Sequence, residues 1–335
     1  MTNSENAIAI WTAGARRLRT IALLIFVCFV PLLLLAAEDR HFADDDRHFA
    51  AEDRHFADDD RHFADDDRHF HVLDFESGIF ENTRKIRVLL PGDYYDEGNS
   101  EKRYPTLYLN DGQNLFDSAT AVLGTEEWQV DETVRRLIAA RELPQIIVVG
   151  IDNAGRRNRP YEYLPYPDEF LQPPVPEPQG RLYPSFLEDE VIPFVEKRYR
   201  VQRGAGSRVL GGSSYGALAA LHTAIARPKL FSFLLLESPS FYVDEDHVLR
   251  DARITEMHLD RVYLGVGTNE LGLDGCPEHP GNTEAVNGVH KLVRILKDHG
   301  MDESQVRVEI TDCAQHSESA WAERFPGALR FLFEP

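Results

Sequence analysis

From about residue 71 onwards, short apolar runs with almost no polar interruption recur along the chain, and they constrain the fold more than any other feature. Residues 146–150 read IIVVG, 233–237 FLLLE and 262–267 VYLGVG. A strand with one face in water alternates apolar and polar residues, whereas a run without alternation belongs to a strand covered on both faces. Extended segments are expected over residues 84–90, 106–110, 145–152, 208–212, 231–237, 261–267 and 306–311. Helical patterns fill most of the gaps, most clearly over 128–140, 185–199, 214–226 and 283–299, the last stopped by Gly300. Strands and helices alternating in this way predict an α/β chain with a doubly wound, mainly parallel sheet and helices on both faces.

The first 70 residues do not fit that pattern. Arg16, Arg17 and Arg19 precede an apolar run over residues 21–37 that ends in Ala36 and Ala37, the order of a signal peptide or a membrane anchor. A seven-residue unit then repeats five times to Phe70, alternating AAEDRHF and ADDDRHF before a final ADDDRHF. One phenylalanine per unit gives no a/d seam for a coiled coil and little to bury, so disorder is expected over residues 38–70. His41, His48, His55, His62 and His69 beside carboxylates offer a metal-capturing alternative to a solvated tether. The folded domain is expected over 71–335. A net charge of −20 argues against nucleic acid as a partner, and thirteen acidic residues against five arginines in residues 36–70 supply part of it.

Residues 208–226 carry the clearest chemistry. The expected strand RVLGG runs into Ser213, Ser214, Tyr215 and Gly216, then into the helical ALAALHTAIA, so Gly212 to Gly216 spell G-x-S-x-G at a strand-to-helix turn. Such a turn exposes a serine hydroxyl at a helix start, where negative charge is favoured. Ser214 is the candidate nucleophile and Ser213 its decoy. The order serine, acid, histidine is completed at the ends of later strands by Glu270, with Asp274 as a competitor, and by His316. An oxyanion hole is expected from the backbone N–H groups of Tyr215 and Gln113, the latter in the loop of YLNDGQNLFD. No histidine spacing resembles a zinc site, so neither a catalytic metal nor another cofactor is expected.

The segments RKIRVLLPGDY, YPTLYLNDGQNLFD, IIVVGIDN with Arg159 and Glu162–Tyr163, VLGGSSYG, LLLESPSFY, YLGVGTNE and the His316 loop occur in the order found in an esterase family of the α/β-hydrolases. The chain resembles that family, which includes siderophore, feruloyl and acetylxylan esterases and S-formylglutathione hydrolase. The resemblance implies the α/β-hydrolase fold, a Ser214–Glu270–His316 triad, acyl transfer through Ser214 and a small-molecule or polysaccharide-linked ester as substrate. Ala217 stands where members often carry a second glycine, and His316 lacks the glycines that usually precede it.

Trp128 and Arg159 are the candidate substrate contacts, with Tyr161, Tyr163, Tyr215, Phe241 and Tyr242 near the same loops; Arg159 would either meet an anionic substrate or pair with Glu162. Cys276 and Cys313, the cysteines beyond the leader, are expected to form a disulfide bracing the two catalytic loops of an exported, periplasmic or secreted protein, with a membrane as partner only if the leader is retained. Two other readings stand beside ester hydrolysis: an acyltransferase on the same fold, and a non-catalytic binding module whose repeat takes metal.

Overall fold

The computed structural model describes residues 68–334 apart from 122–125, 170 and 172. The leader expected over 1–37 and the repeat as far as residue 67 lie outside the described residues. Among the described residues, no helix is long and apolar enough to cross a membrane.

Eight strands form one sheet in the order β1-β2-β4-β3-β5-β6-β7-β8. β1 (Phe70–Ser77) and β2 (Asn82–Leu89) make an antiparallel hairpin, and β2 pairs antiparallel with β4 (Ile147–Ile151). β4, β3 (Thr106–Asn110), β5 (Arg208–Ser213), β6 (Phe233–Glu237), β7 (Arg261–Gly267) and β8 (Val306–Thr311) are all parallel, so their carboxyl ends share one edge. β3, β4 and β5 are buried at every residue, as their unbroken apolar runs require.

The expected strands appear, those over 106–110, 261–267 and 306–311 with unchanged ends and the others shifted by one to two residues, and β1 is an addition to them. The sheet begins inside the fifth repeat: Arg68 lies over the Tyr95 ring, His69 meets that ring edge-on, and Phe70 packs against Phe116. β1 pairs with β2 alone and is only partly buried, so it carries none of the apolar continuity that marks the inner strands.

The helices are α1 (Val130–Ala139), α2 (Arg159–Tyr163), α3 (Tyr183–Ser185), α4 (Ile192–Arg198), α5 (Tyr215–Ala226), α6 (His247–Ile254), α7 (Pro280–Asp298) and α8 (Glu318–Leu332). The single helix expected over 185–199 is interrupted by a π-helical turn, Phe186–Val191. Pro193 has no N–H to give to a carbonyl one turn back, which favours a widened turn just before it. That turn places Glu190 to accept from Ser77 Oγ (2.6 Å), Gly78 N (2.8 Å) and Ile79 N (3.0 Å), closing the β1–β2 hairpin.

α7 buries Ala285, Val289, Leu292, Ile295 and Leu296, one stripe at helical spacing against β7, and His279 caps its start by accepting from Gly281 N. α5 differs, being buried on all sides from Gly216 to Ile225. Its small residues let it lie close beneath the sheet edge, and each buried leucine there contributes roughly 1.5–3 kcal/mol over an exposed one.

Candidate active site

Ser214 sits between β5 and α5 with φ 57° and ψ −124°, in a backbone region that non-glycine residues rarely occupy. The turn is held by Ser214 N–H donating to the carbonyl of Glu237 at 2.9 Å. Gly212 makes it possible, because a Cβ there would lie 2.9 Å from the Gly216 backbone. As the first helical residue, Tyr215 has an N–H with no partner one turn back. Ser213 points elsewhere: it is buried, and its carbonyl accepts from Arg159 Nη2.

Glu270 and His316 are brought together from the ends of β7 and β8. His316 Nδ1 lies 2.6 Å from Glu270 Oε2, and Glu270 Oε1 accepts from Ser238 Oγ (2.8 Å) and Gly267 N (2.6 Å). Burial pushes the Glu270 carboxyl up, but the bond to His316, that residue's charge and the two further donors outweigh it and hold the group below its ordinary value. Glu270 is therefore the charged acceptor and Nδ1 the donor, which leaves Nε2 as the basic nitrogen. Of the two carboxylates after VYLGVG, Glu270 is the one joined to His316; Asp274 is exposed.

The two loops are bound to each other along their length. Thr268 N–H donates to Thr311 O and Asn269 N–H to Ala314 O, both at 3.0 Å, and Cys313 N–H donates to Thr268 Oγ1 at 2.8 Å. The Cys276–Cys313 disulfide joins them covalently, with its Cα atoms 5.5 Å apart. Gly267 permits the approach, since a Cβ there would fall 2.0 Å from the Ala314 carbonyl oxygen.

Ser214 Oγ shares a hydrogen bond with Ser240 Oγ, 3.2 Å away. Gln113 stands on a 3-10 turn after β3 that begins at Asp111 with φ 60°. Its side chain is anchored, with Oε1 accepting from Asn153 N at 3.2 Å, and among the described residues no acceptor takes its backbone N–H. Asn114 Nδ2 donates to Glu318 Oε1 at 3.1 Å, tying this loop to the start of α8.

Of the two expected substrate contacts, Arg159 is held by a carboxylate and Trp128 is packed into the core. Arg159 is clamped on Asp111 through Nε (2.7 Å) and Nη2 (2.8 Å), with the rings of Tyr163 and Tyr215 beside its guanidinium. Its partner is Asp111 and not Glu162, which pairs with Arg84 instead. With its charge answered in this way, Arg159 braces the turn after β3 against the nucleophile turn. Trp128 is 2% exposed, packed against Trp321 and Phe325, and offers no face to a substrate. Tyr163 and Phe241 are likewise core residues, while Tyr242 is exposed. Ser238, Ser240, Trp321 and Glu318 went unassigned as site residues from the sequence. The one signal for the serines was their place just beyond an apolar strand, at the edge where ligands of open α/β sheets bind.

A sheet of this topology with a serine on a strained strand-to-helix turn defines an α/β-hydrolase. Residues 77–332 match the family model Esterase, described as "Putative esterase", and the chain belongs to that family of ester-hydrolysing enzymes. It is 23% identical over 252 residues to the uncharacterized protein YbbA of Bacillus subtilis, covering 75% of this chain and 92% of that one. It is 30% identical over 186 residues to the siderophore enterobactin esterase of Emericella nidulans, covering 53% of this chain and 60% of that one. Among solved structures, an IroE-like serine hydrolase from Shewanella oneidensis superposes with a TM-score of 0.59 at 21% identity, covering 79% and 80% of the two chains.

Proposed function

We propose that the chain hydrolyses carboxylic esters through an acyl-enzyme on Ser214, with His316 as general base and Glu270 as the acid that orients it. The observation that carries this reading is the 2.6 Å Glu270–His316 bond on the same sheet edge as the strained Ser214 turn. In the first step Ser214 Oγ leaves Ser240, gives its proton to His316 Nε2 and attacks the ester carbonyl carbon. The oxyanion is held by the N–H groups of Tyr215 and Gln113, each contributing about 3 kcal/mol. The bond to the alcohol oxygen then breaks as His316 returns the proton to it, and water releases the acid by the same steps.

The substrate is a small-molecule or polysaccharide-linked ester; the named activity of the Emericella relative supports the small-molecule reading. Export is supported by the Cys276–Cys313 disulfide, since such bonds persist in oxidising compartments, together with the basic and apolar order of residues 16–37.

The test is hydrolysis of chromogenic acetyl, butyryl and feruloyl esters by the full chain beside its Ser214→Ala variant. Turnover lost in the variant is the expected result. Turnover retained would remove Ser214 as nucleophile, and acyl transfer to an added alcohol in preference to water would replace hydrolysis by transferase chemistry.

A further inference from the structure

Ser238 has backbone geometry that its residue type does not favour. It has φ 42° and precedes Pro239, a combination costly for a residue with a Cβ. It is buried, and its N–H donates to Gly265 O at 2.8 Å. Trp321 Nε1 donates to Ser238 Oγ at 2.9 Å, and Ser238 Oγ lies 2.8 Å from Glu270 Oε1. An indole N–H only donates, so it occupies an acceptor site of the hydroxyl and directs the hydroxyl proton to Glu270. The ring is closed by His316, which donates to Glu270 and meets the Trp321 ring edge-on at 5.2 Å.

We infer that Ser238, its hydroxyl direction set by Trp321, is a positioning residue that acts through Glu270 to hold His316 in its working orientation. The inference rests on the triad proposed above. Three donors, from His316, Ser238 and Gly267, fix the Glu270 carboxylate in plane and in charge. Gly267 is backbone and always present, so Ser238 is the side chain on which this orientation depends. The adjacent Glu237, bonded to Arg324 on α8 at 2.7 Å, fixes the same segment from below.

Ser238→Gly is the informative variant, because glycine takes a positive φ without strain and the change removes the hydroxyl while favouring the fold. Trp321→Phe keeps an aromatic ring on α8 and removes the N–H together with one fused ring, so its melting curve is read beside its rates. Two readouts apply to the full chain: the rate of serine labelling by a fluorophosphonate, which needs no knowledge of the natural ester, and the far-downfield proton resonance of His316 Nδ1–H. In Ser238→Gly, labelling and kcat should fall roughly tenfold with KM unchanged, the scale of one hydrogen bond to a charged group, and the resonance should move upfield or broaden. Trp321→Phe should lower both rates about threefold, and the double variant should lose much less than the product of the two single losses, since the indole N–H acts through the hydroxyl.

Labelling within about twofold of wild type and an unmoved resonance in Ser238→Gly would overturn the inference, as would fully additive losses in the double variant. Should Ser238→Gly not fold, Trp321→Phe carries both readouts by itself. Labelling that persists in Ser214→Ala would sink the nucleophile assignment instead, and the resonance would still report whether Ser238 orders the Glu270–His316 pair.

Discussion

The two halves of the sheet's carboxyl edge are held by different means. On the β3–β4 side, which presents Gln113, the fixing elements are ion pairs: Arg84 with Glu162 and Arg87 with Asp152 at 2.9 Å, both buried, and Arg159 with Asp111, where the carboxylate is buried and the guanidinium partly exposed. On the β7–β8 side, which presents Glu270 and His316, the loops are held by backbone hydrogen bonds, a disulfide and the Ser238–Trp321 contact, and the His316 side chain is 21% exposed. Under the proposed mechanism an oxyanion donor contributes only a fixed N–H, which the core can hold, whereas a base must exchange its proton with substrate and water and so needs a place at the rim and braces of its own.

This contrast is broken most severely at the rim. Glu270→Gln keeps the shape of the acid but removes its charge and reverses one hydrogen-bonding role, and the expected loss in kcat is about 10⁴-fold with the fold intact, read by steady-state kinetics beside a melting curve. A loss under tenfold would mean that the rim does not depend on this carboxylate. The converse change is Glu162→Gln, which leaves the Arg84 charge buried and unanswered. It should cost about 3–5 kcal/mol by denaturant unfolding, while molecules that remain folded keep nearly their full kcat.

The third expectation separates the braces. The Cys276–Cys313 bond spans 37 residues, and removing it with Cys276→Ser and Cys313→Ser should lower stability by roughly 3–4 kcal/mol and also lower kcat, because it joins the loops that carry acid and base. Unchanged kcat would show that the backbone bonds between the loops suffice.

The smallest effect lies in the core between the two sides. Burial pushes His222, on α5, down to about 4, with the Asp251 charge opposing and Arg181 and Arg227 assisting. The folded protein keeps this imidazole neutral while the unfolded chain protonates it below about 6.5, so stability is lost as pH falls from about 6.5 towards 4. At pH 5 this amounts to about 2 kcal/mol, and His222→Leu should flatten that part of the stability–pH curve. A curve with the same slope in the variant would assign the acid sensitivity elsewhere.

How far the sequence could be read depended on whether a signal was local. The inner strands, the serine turn and the two loops that carry Glu270 and His316 were legible because each is written in consecutive residues: an apolar run, a G-x-S-x-G between strand and helix, a polar loop after a strand. The Cys276–Cys313 pairing followed from there being two cysteines beyond residue 37, and it is the bond found. β1 was missed because a partly buried edge strand has no continuous run to announce it. The π-helical turn passed for ordinary helix because Pro193 is also compatible with the first turn of a plain helix, and the contacts the widened turn serves, from Glu190 to residues 77–79, lie 111 to 113 positions away.

What the sequence alone determined, then, was the parallel sheet, the turn that exposes Ser214 and the succession of Ser214, Glu270 and His316, all consequences of short-range periodicity and turn chemistry. Tertiary structure decided which partner each polar group takes: Asp111 rather than Glu162 for Arg159, Glu270 rather than Asp274 for His316, and Ser240 for the resting Ser214 hydroxyl. It also decided that Trp128 faces inward. Pairing energies depend on distances between residues far apart in the chain, and an aromatic side chain near a loop has the same composition whether it lines a cleft or fills the core beneath it.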